Sequence, residues 1–238
     1  MSRMRADLLL VARGLAESRA KARAAIEAGG LRADGALVEK ASALIAVDAA
    51  LELTPPHPWV SRGGVKLAAA LDAFGVDPAG RVCLDVGAST GGFTQVLLAR
   101  GAARVYAVDV GSAQLHASLR ADPRVVSLEQ IDARALTRAL VPTPPSLVVC
   151  DVSFIGAAKS LAVPLSLAAP KADLVALIKP QFEAGPHKSM LDEPNARAAA
   201  AAAIASLEGV AGFHQVATID SPIRGGDGNL ELLLHARR

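Results

Sequence analysis

The sequence predicts an α/β protein: a mostly parallel β-sheet with helices on both faces, preceded by a small α+β unit of two helices and a hairpin. Three observations carry this expectation. From residue 65 onward, short apolar runs of strand length alternate with stretches of helical period. A glycine-rich turn, DVGASTGGFT from Asp85 to Thr94, leaves the first of those apolar runs. Near the N-terminus, Asp34-Gly35 sits between two alternating runs, as a tight hairpin turn requires. The 238 residues, 52% hydrophobic and 3% aromatic, suffice for one large domain or a medium domain with a small companion.

Taken in order, residues 1–53 form the small domain. Asp7 is expected to cap a first helix over 8–12, which Gly14 ends. Ser18 caps a second over 19–28, which Gly29-Gly30 closes. The hairpin LRADGALV follows. Arg3, Arg5, Arg13, Arg19, Lys21, Arg23 and Arg32 outnumber the acids of this stretch, although the whole chain carries a net charge of only +2. Nucleic-acid binding would therefore rest on local clustering. Arg19 and Arg23 lie one helical turn apart on one face. A merely solvated face is the competing reading. Residues 54–60, TPPHPWV, contain Pro55, Pro56 and Pro58 and read as a semi-rigid linker.

The second domain, 61–238, opens with a helix over 65–74 and continues with a strand over 81–84, a short helix over 93–99 and a strand over 105–108. Strands follow over 147–150 and 174–178, then an Ala-rich helix over 195–207, and NLELLLH reads as a buried final strand. Cys83 and Cys150 both fall inside strand runs, which makes them buried small hydrophobes in a reduced, cytoplasmic setting rather than a disulfide. No segment approaches the roughly 20 apolar residues that a membrane span needs.

The glycine turn raises the question of its ligand. A P-loop ends in Gly-Lys-Ser/Thr, and this turn holds no lysine; a dinucleotide fingerprint needs a second glycine where Ser89 stands. Asp85 precedes the first glycine. A like charge at about 4 Å costs on the order of 4 kcal/mol at an effective dielectric near 20, so a pyrophosphate would be repelled. S-adenosylmethionine carries an ammonium and a sulfonium, which the same carboxylate attracts. Gly87, Ser89, Gly91, Gly92 and Phe93 are then expected to close over its methionine portion. Asp109, ending the next strand, is placed for the ribose hydroxyls, and Asp132, after the third strand, for the adenine amino group. Each acid alone could simply cap a helix.

In open parallel sheets, reactants gather beyond the carboxyl ends of the strands. Two apolar strands end there in a charge, Asp151 and Lys179, and Glu231 interrupts the last apolar run; an unpaired buried carboxylate is costly, so these charges are expected to pair. DVSF after Cys150 departs from the Asp/Asn-Pro-Pro-aromatic turn of base-amino methyltransferases. Cys150 lies within its strand, unlike the nucleophile that cytosine C5 transfer requires. An oxygen acceptor remains the best candidate.

SRGGVKL, DVGASTGGFT, VYAVDVG, DVSFI, LIKPQFEAG, SPIRGGDGN and LELLLH, with ADLLLVARGLAESRAKA ahead of them, resemble in order the TlyA family of ribosomal-RNA 2′-O-methyltransferases. Such proteins place an S4-like RNA-binding domain before an FtsJ-like, RrmJ-type, Rossmann-like catalytic domain. The resemblance implies a catalytic tetrad of Lys66, Asp151, Lys179 and Glu231. From its sequence alone Lys66 looks like an ordinary surface residue of a helix. The resemblance further implies S-adenosylmethionine as donor, no metal, and RNA contacts by Arg5, Arg19, Lys21 and Arg23. It also implies 2′-O-methylation of a ribose in ribosomal RNA, a cytidine being favoured. The short chain ends lean toward large-subunit RNA. In the expected mechanism Lys179 takes or weakens the hydroxyl proton, Asp151 orients Lys179, and Lys66 with Glu231 tunes charge and holds the ribose.

Three alternatives remain. The second domain could be a catalytically silent cofactor fold serving ribosome assembly. Family members also carry the name haemolysin, which would mean a membrane-active protein. A small-molecule O-methyltransferase is disfavoured by the basic N-terminal unit.

Overall fold

A computed structural model describes residues 2–153, 156–183, 191–225 and 228–238. Phe154 and Ile155 of DVSFI, the segment 184–190 after the Phe-Glu pair, and Gly226-Asp227 lie outside the described residues. The chain divides into two compact units, Met1–Pro58 and Trp59–Arg238.

In the first unit, β1 (Arg3–Arg5) leads into α1 (Ala6–Ala12), and α2 (Arg19–Glu27) follows with Ser18 capping it through Lys21 N. The hairpin is β2 (Leu31–Ala33) and β3 (Ala36–Leu37), turned by Asp34 and Gly35 at φ 50° and 78°, the left-handed pair that a two-residue turn demands. β4 (Leu44–Ala46) pairs antiparallel with β1, and β5 (Leu51–Leu53) with β2. Ala6, Leu10, Ala22, Ile26, Leu31 and Val38 form the core. Asp7, expected from the sequence to cap α1, does not do so. The N-cap is Arg5, without a side-chain bond, and Asp7 is a buried carboxylate that accepts from Arg5 Nε at 3.0 Å and Arg19 Nη2 at 3.1 Å. Those two guanidinium groups hold its carboxyl well below the usual range.

The second unit runs α3 (Gly63–Phe74), β6 (Val82–Val86), α4 (Gly92–Ala99), β7 (Arg104–Asp109), α5 (Ala117–Arg120), β8 (Val125–Glu129), β9 (Leu147–Cys150), α6 (Ala157–Ser166), β10 (Asp173–Ile178), α7 (Pro180–Glu183), α8 (Glu193–Leu207), β11 (His214–Asp220) and β12 (Leu232–Arg237). The sheet order is β11-β12-β10-β9-β6-β7-β8; β12 is antiparallel to both neighbours and the remaining pairs are parallel. Alternate residues of one strand feed opposite faces. Val148 and Cys150 join the cluster containing Leu161 of α6 and Ala200 of α8, while Leu147 and Val149 join Leu67 of α3 and Val96 of α4. A run apolar at every position is thus explained by two covered faces.

Register decides what meets at the carboxyl ends. β6 and β9 pair Val86 with Cys150, so Gly87 and Asp151 leave the sheet side by side, with Asp151 N donating to Val86 O at 2.9 Å. The antiparallel pairing of Ile178 with Leu232 puts the residue after β10, Lys179, at the same end as the residue before β12, Glu231. An antiparallel last strand is therefore why an acid ahead of a strand reaches the same edge as charges that follow strands.

Candidate functional site

Two adjoining cavities open at the carboxyl edge, and the glycine turn walls both. The first, about 450 Å³, is lined by Val86, Gly87, Ser89, Asp109, Ile131, Asp132, Asp151 and Ser153 among others. The second, about 340 Å³, is lined by Ser61, Arg62, Lys66, Gly92, Phe93, Asp151, Lys179 and Glu231 among others. Gly87, Ser89, Asp151 and Ser153 belong to both.

The four charges implied by the resemblance form two pairs in the second cavity. Lys66 Nζ donates to Glu231 Oε2, with both side chains buried. Lys179 Nζ lies 2.5 Å from Asp151 Oδ1 and donates to Ser153 Oγ at 2.9 Å, and this pair is the more open one. Lys66 is 6% exposed, so the reading of it as a surface residue was wrong. It lies one turn into α3, and among the described residues its ammonium is held by Glu231. No periodicity could show this, because its partner lies 165 positions away. Ser153, Ser61 and Arg62 were not read from the sequence as site residues.

The first cavity suits the expected donor. Its volume falls in the range of small-ligand sites. Its acids Asp109, Asp132 and Asp151 oppose only Arg134 among its lining residues, which favours a cationic sulfonium ligand over a pyrophosphate. Asp109 accepts from Ser89 N and Gly111 N, both at 2.7 Å, which ties the glycine turn to the end of β7 while leaving lone pairs for a ligand hydroxyl. Asp132 caps the turn over 133–135 through Arg134 N and pairs with Arg134 Nη2 at 2.6 Å; that guanidinium beside it lowers its carboxyl to about 2. Capping and cavity lining coexist at this residue. When bound, S-adenosylmethionine supplies an electrophilic methyl group on a positively charged sulfur.

Other residues of the turn depart from their expected places. Asp85 lines neither cavity. It is wholly buried, it accepts from Thr94 Oγ1 at 2.7 Å, and its Oδ1 has no hydrogen-bond partner among the described residues. Burial raises its carboxyl to about 7, with Asp151 and Asp109 adding to the rise. The electrostatic preference for a cationic ligand consequently falls to Asp109, Asp132 and Asp151. Gly91, at φ 96°, also lines neither cavity: a Cβ there would strike Leu119. Gly92 and Phe93 line the charged cavity rather than the first one.

Asp85 yields a pH prediction. An acid whose folded-state value is raised binds more protons folded than unfolded, so stability falls as pH climbs from the ordinary value near 4 through about 7. Thermal melts should show the protein more stable at pH 5.5 than at pH 8.5, with Asp85→Asn flattening that difference. An equal pH dependence in the variant would refute it.

Gly87 yields a second. At φ 84°, a Cβ would sit 2.7 Å from the backbone oxygen of Asp151, just beyond the paired ends of β6 and β9, so one of the two backbones would have to shift. Gly87→Ala should displace the Asp151 turn and cut donor affinity, read by calorimetry, by at least about tenfold. Unchanged affinity would mean that the turn is more pliable than its geometry implies.

The cysteines are excluded as nucleophiles. Cys83 and Cys150 are buried in strands, and burial pushes both thiols up to about 12.

In the first unit, Arg5, Arg19 and Arg23 line one open cavity with Lys40 and Ser42, whereas Lys21 does not. Each of the four candidate cations faces a carboxylate: Arg5 and Arg19 share Asp7, Lys21 pairs with Glu17, and Arg23 with Glu27. Among the described residues no group of His, Cys, Asp and Glu could hold a metal, and no helix is long and apolar enough to cross a membrane.

The chain's likenesses agree with this layout. Residues 59–238 match the FtsJ-like methyltransferase family and residues 4–49 the S4 domain. The 16S/23S rRNA (cytidine-2′-O)-methyltransferase TlyA of Mycobacterium tuberculosis is 46% identical over 99% of this chain and 90% of its own length. Hemolysin A of Brachyspira hyodysenteriae is 38% identical over 98% of this chain and 99% of its own. The solved structure of a hemolysin-named protein from Streptococcus thermophilus superposes with a TM-score of 0.77 at 36% identity, covering 100% of this chain and 89% of that one. With an FtsJ-like match over the sheet that carries both cavities, and 46% identity to the mycobacterial protein over nearly the whole chain, this chain belongs to the TlyA family of S-adenosylmethionine-dependent, FtsJ-like methyltransferases with an S4 domain.

Proposed function

We propose that the protein methylates a ribose 2′-hydroxyl of ribosomal RNA, with a cytidine of the large-subunit RNA as the favoured target. The observation that carries this reading is the single cavity uniting Lys66, Asp151, Lys179 and Glu231 beside the turn shared with the donor cavity. A ribose hydroxyl is a poor nucleophile until its proton leaves or its developing negative charge is stabilised. A lysine held by a carboxylate and a hydroxyl can do either.

Lys179 is aimed by Asp151 and Ser153, which engage two of the three donors of its ammonium and leave the third for an acceptor in the cavity that all three residues line. The acceptor proton passes to Lys179 Nζ when that group is neutral. When Nζ is charged, its N–H instead bonds the oxygen as charge develops, and the proton leaves with solvent. Lys66 and Glu231, closed on each other, set the charge of the inner wall. Arg5, Arg19, Lys21 and Arg23 serve in this reading as RNA-docking cations whose carboxylate partners yield to phosphates. The mycobacterial relative is a cytidine-2′-O-methyltransferase by name, which supports the ribose over a base as acceptor.

The deciding experiment is transfer of labelled methyl from S-adenosylmethionine to separated small and large ribosomal subunits, and to their naked RNAs, from a strain lacking the gene. Label mapped to a ribose of large-subunit RNA is expected. Label on a base overturns the acceptor assignment, and label on small-subunit RNA alone overturns the subunit preference. No label, with donor binding intact, favours a silent RNA-binding assembly factor.

A further inference from the structure

The pair Lys179–Asp151 joins two segments that leave neighbouring strands, and its geometry is only as good as the hold between them. Asp151 and Ser153 follow β9 and run toward α6, and Lys179 follows β10 and runs into α7. Gly156, the N-cap of helix α6, offers no side-chain cap. Its first-turn amide is satisfied from the other segment instead: Ala157 N donates to Glu183 Oε1 at 2.8 Å. Glu183 stands four residues after Lys179, one helical turn on, so its carboxylate reaches back across the gap that the ion pair bridges.

The approach is close enough to depend on a glycine. A Cβ on Gly156 would lie 2.8 Å from Glu183 Oε2. Burial raises the Glu183 carboxyl, while the Ala157 amide opposes that rise, so the group is retained against a desolvation cost. Glu183 is not among the described residues that line either cavity.

We propose that Glu183 is a positioning residue for the transfer reaction, a brace that locks the Lys179 segment to the Asp151–Ser153 segment through the start of α6. The proposal rests on the methyl-transfer reading above. Among the described residues, Lys179 to Asp151, Lys179 to Ser153 and Glu183 to Ala157 then tie the two segments, the first two at the cavity. The first two contacts perform the chemistry and the third fixes their spacing. A displacement of about 1 Å between reacting groups can lower a rate on the order of a hundredfold.

The test compares Glu183→Ala and Glu183→Gln with the wild-type full chain. The readouts are single-turnover methyl transfer to ribosomal RNA, donor affinity by calorimetry, thermal midpoint, and amide hydrogen exchange over the first turn of α6. Glutamine keeps an oxygen that can accept from Ala157 N. Glu183→Ala should slow transfer by roughly tenfold to a hundredfold, with donor affinity and apparent KM for RNA within about threefold. It should also speed exchange at the start of α6. Glu183→Gln should recover transfer to within about threefold of wild type and restore protection. Transfer by Glu183→Ala within about twofold of wild type overturns the proposal. So does a Gln variant as slow as the Ala variant, or a rate loss matched by equal loss of donor affinity. If the wild-type chain transfers no methyl to any RNA, the functional reading fails separately. Exchange then decides the brace: unchanged exchange at Ala157 in Glu183→Ala refutes it, and faster exchange upholds the tie between the segments.

Discussion

Lys179→Ala is expected to lower single-turnover methyl transfer by roughly 10²–10⁴-fold, the usual contribution of one positioned acid–base group, while donor affinity stays within a few fold of wild type. The expectation follows from place. Nζ of Lys179 sits at the charged cavity between Asp151 and Ser153, and Lys179 is not among the described residues lining the first cavity, proposed for the donor. Lys179→Arg should not rescue activity, because a planar, permanently charged guanidinium can neither accept the proton nor fit the two acceptors that hold an ammonium. Rapid-quench transfer assays beside calorimetric titration check both variants. Donor binding lost together with activity would make Lys179 a structural residue of the donor cavity.

The inner pair should behave differently, because it is buried. Lys66→Met leaves Glu231 without its partner at a site where both side chains are almost wholly covered, and breaking such a pair costs on the order of 3–5 kcal/mol. The single variant should therefore lose both transfer and stability, read as a large fall in the denaturant midpoint. The double variant Lys66→Met/Glu231→Leu removes both charges and should regain most of that stability, while transfer remains lost. Recovery of stability without activity separates the electrostatic role of the pair from its structural one. A double variant that still transfers methyl groups at near wild-type rates would remove Lys66 and Glu231 from the mechanism.

The inner strands were legible because each has an apolar run covered on both faces. Residues 147–150 are bounded identically by pattern and by structure. The short pairings were not: β1, β4 and β5 have three residues each, too few for a period of two to stand out. The edge strand β11 was missed because it is largely exposed and polar, without a buried face to mark it. Asp7 was misread because an acid at the start of a helix resembles a cap, and only the fold shows Arg5 and Arg19 converging on it. Asp85 was misplaced for a related reason. Its position before the glycine turn is plain from the sequence, but its burial against Thr94, outside the residues lining the cavities, depends on how the strand end is packed.

The sequence by itself determined the alternating architecture, the glycine turn that walls both cavities, and the charges at strand ends, because apolar period, glycine placement and a charge interrupting an apolar run are local signals. Only the tertiary structure decided which charges pair. Lys66 finds Glu231 because the last strand runs antiparallel, and Glu183 reaches Ala157 because β9 and β10 are neighbours. These partners are separated by long stretches of chain, and what brings them together is sheet order and register, which no local pattern encodes.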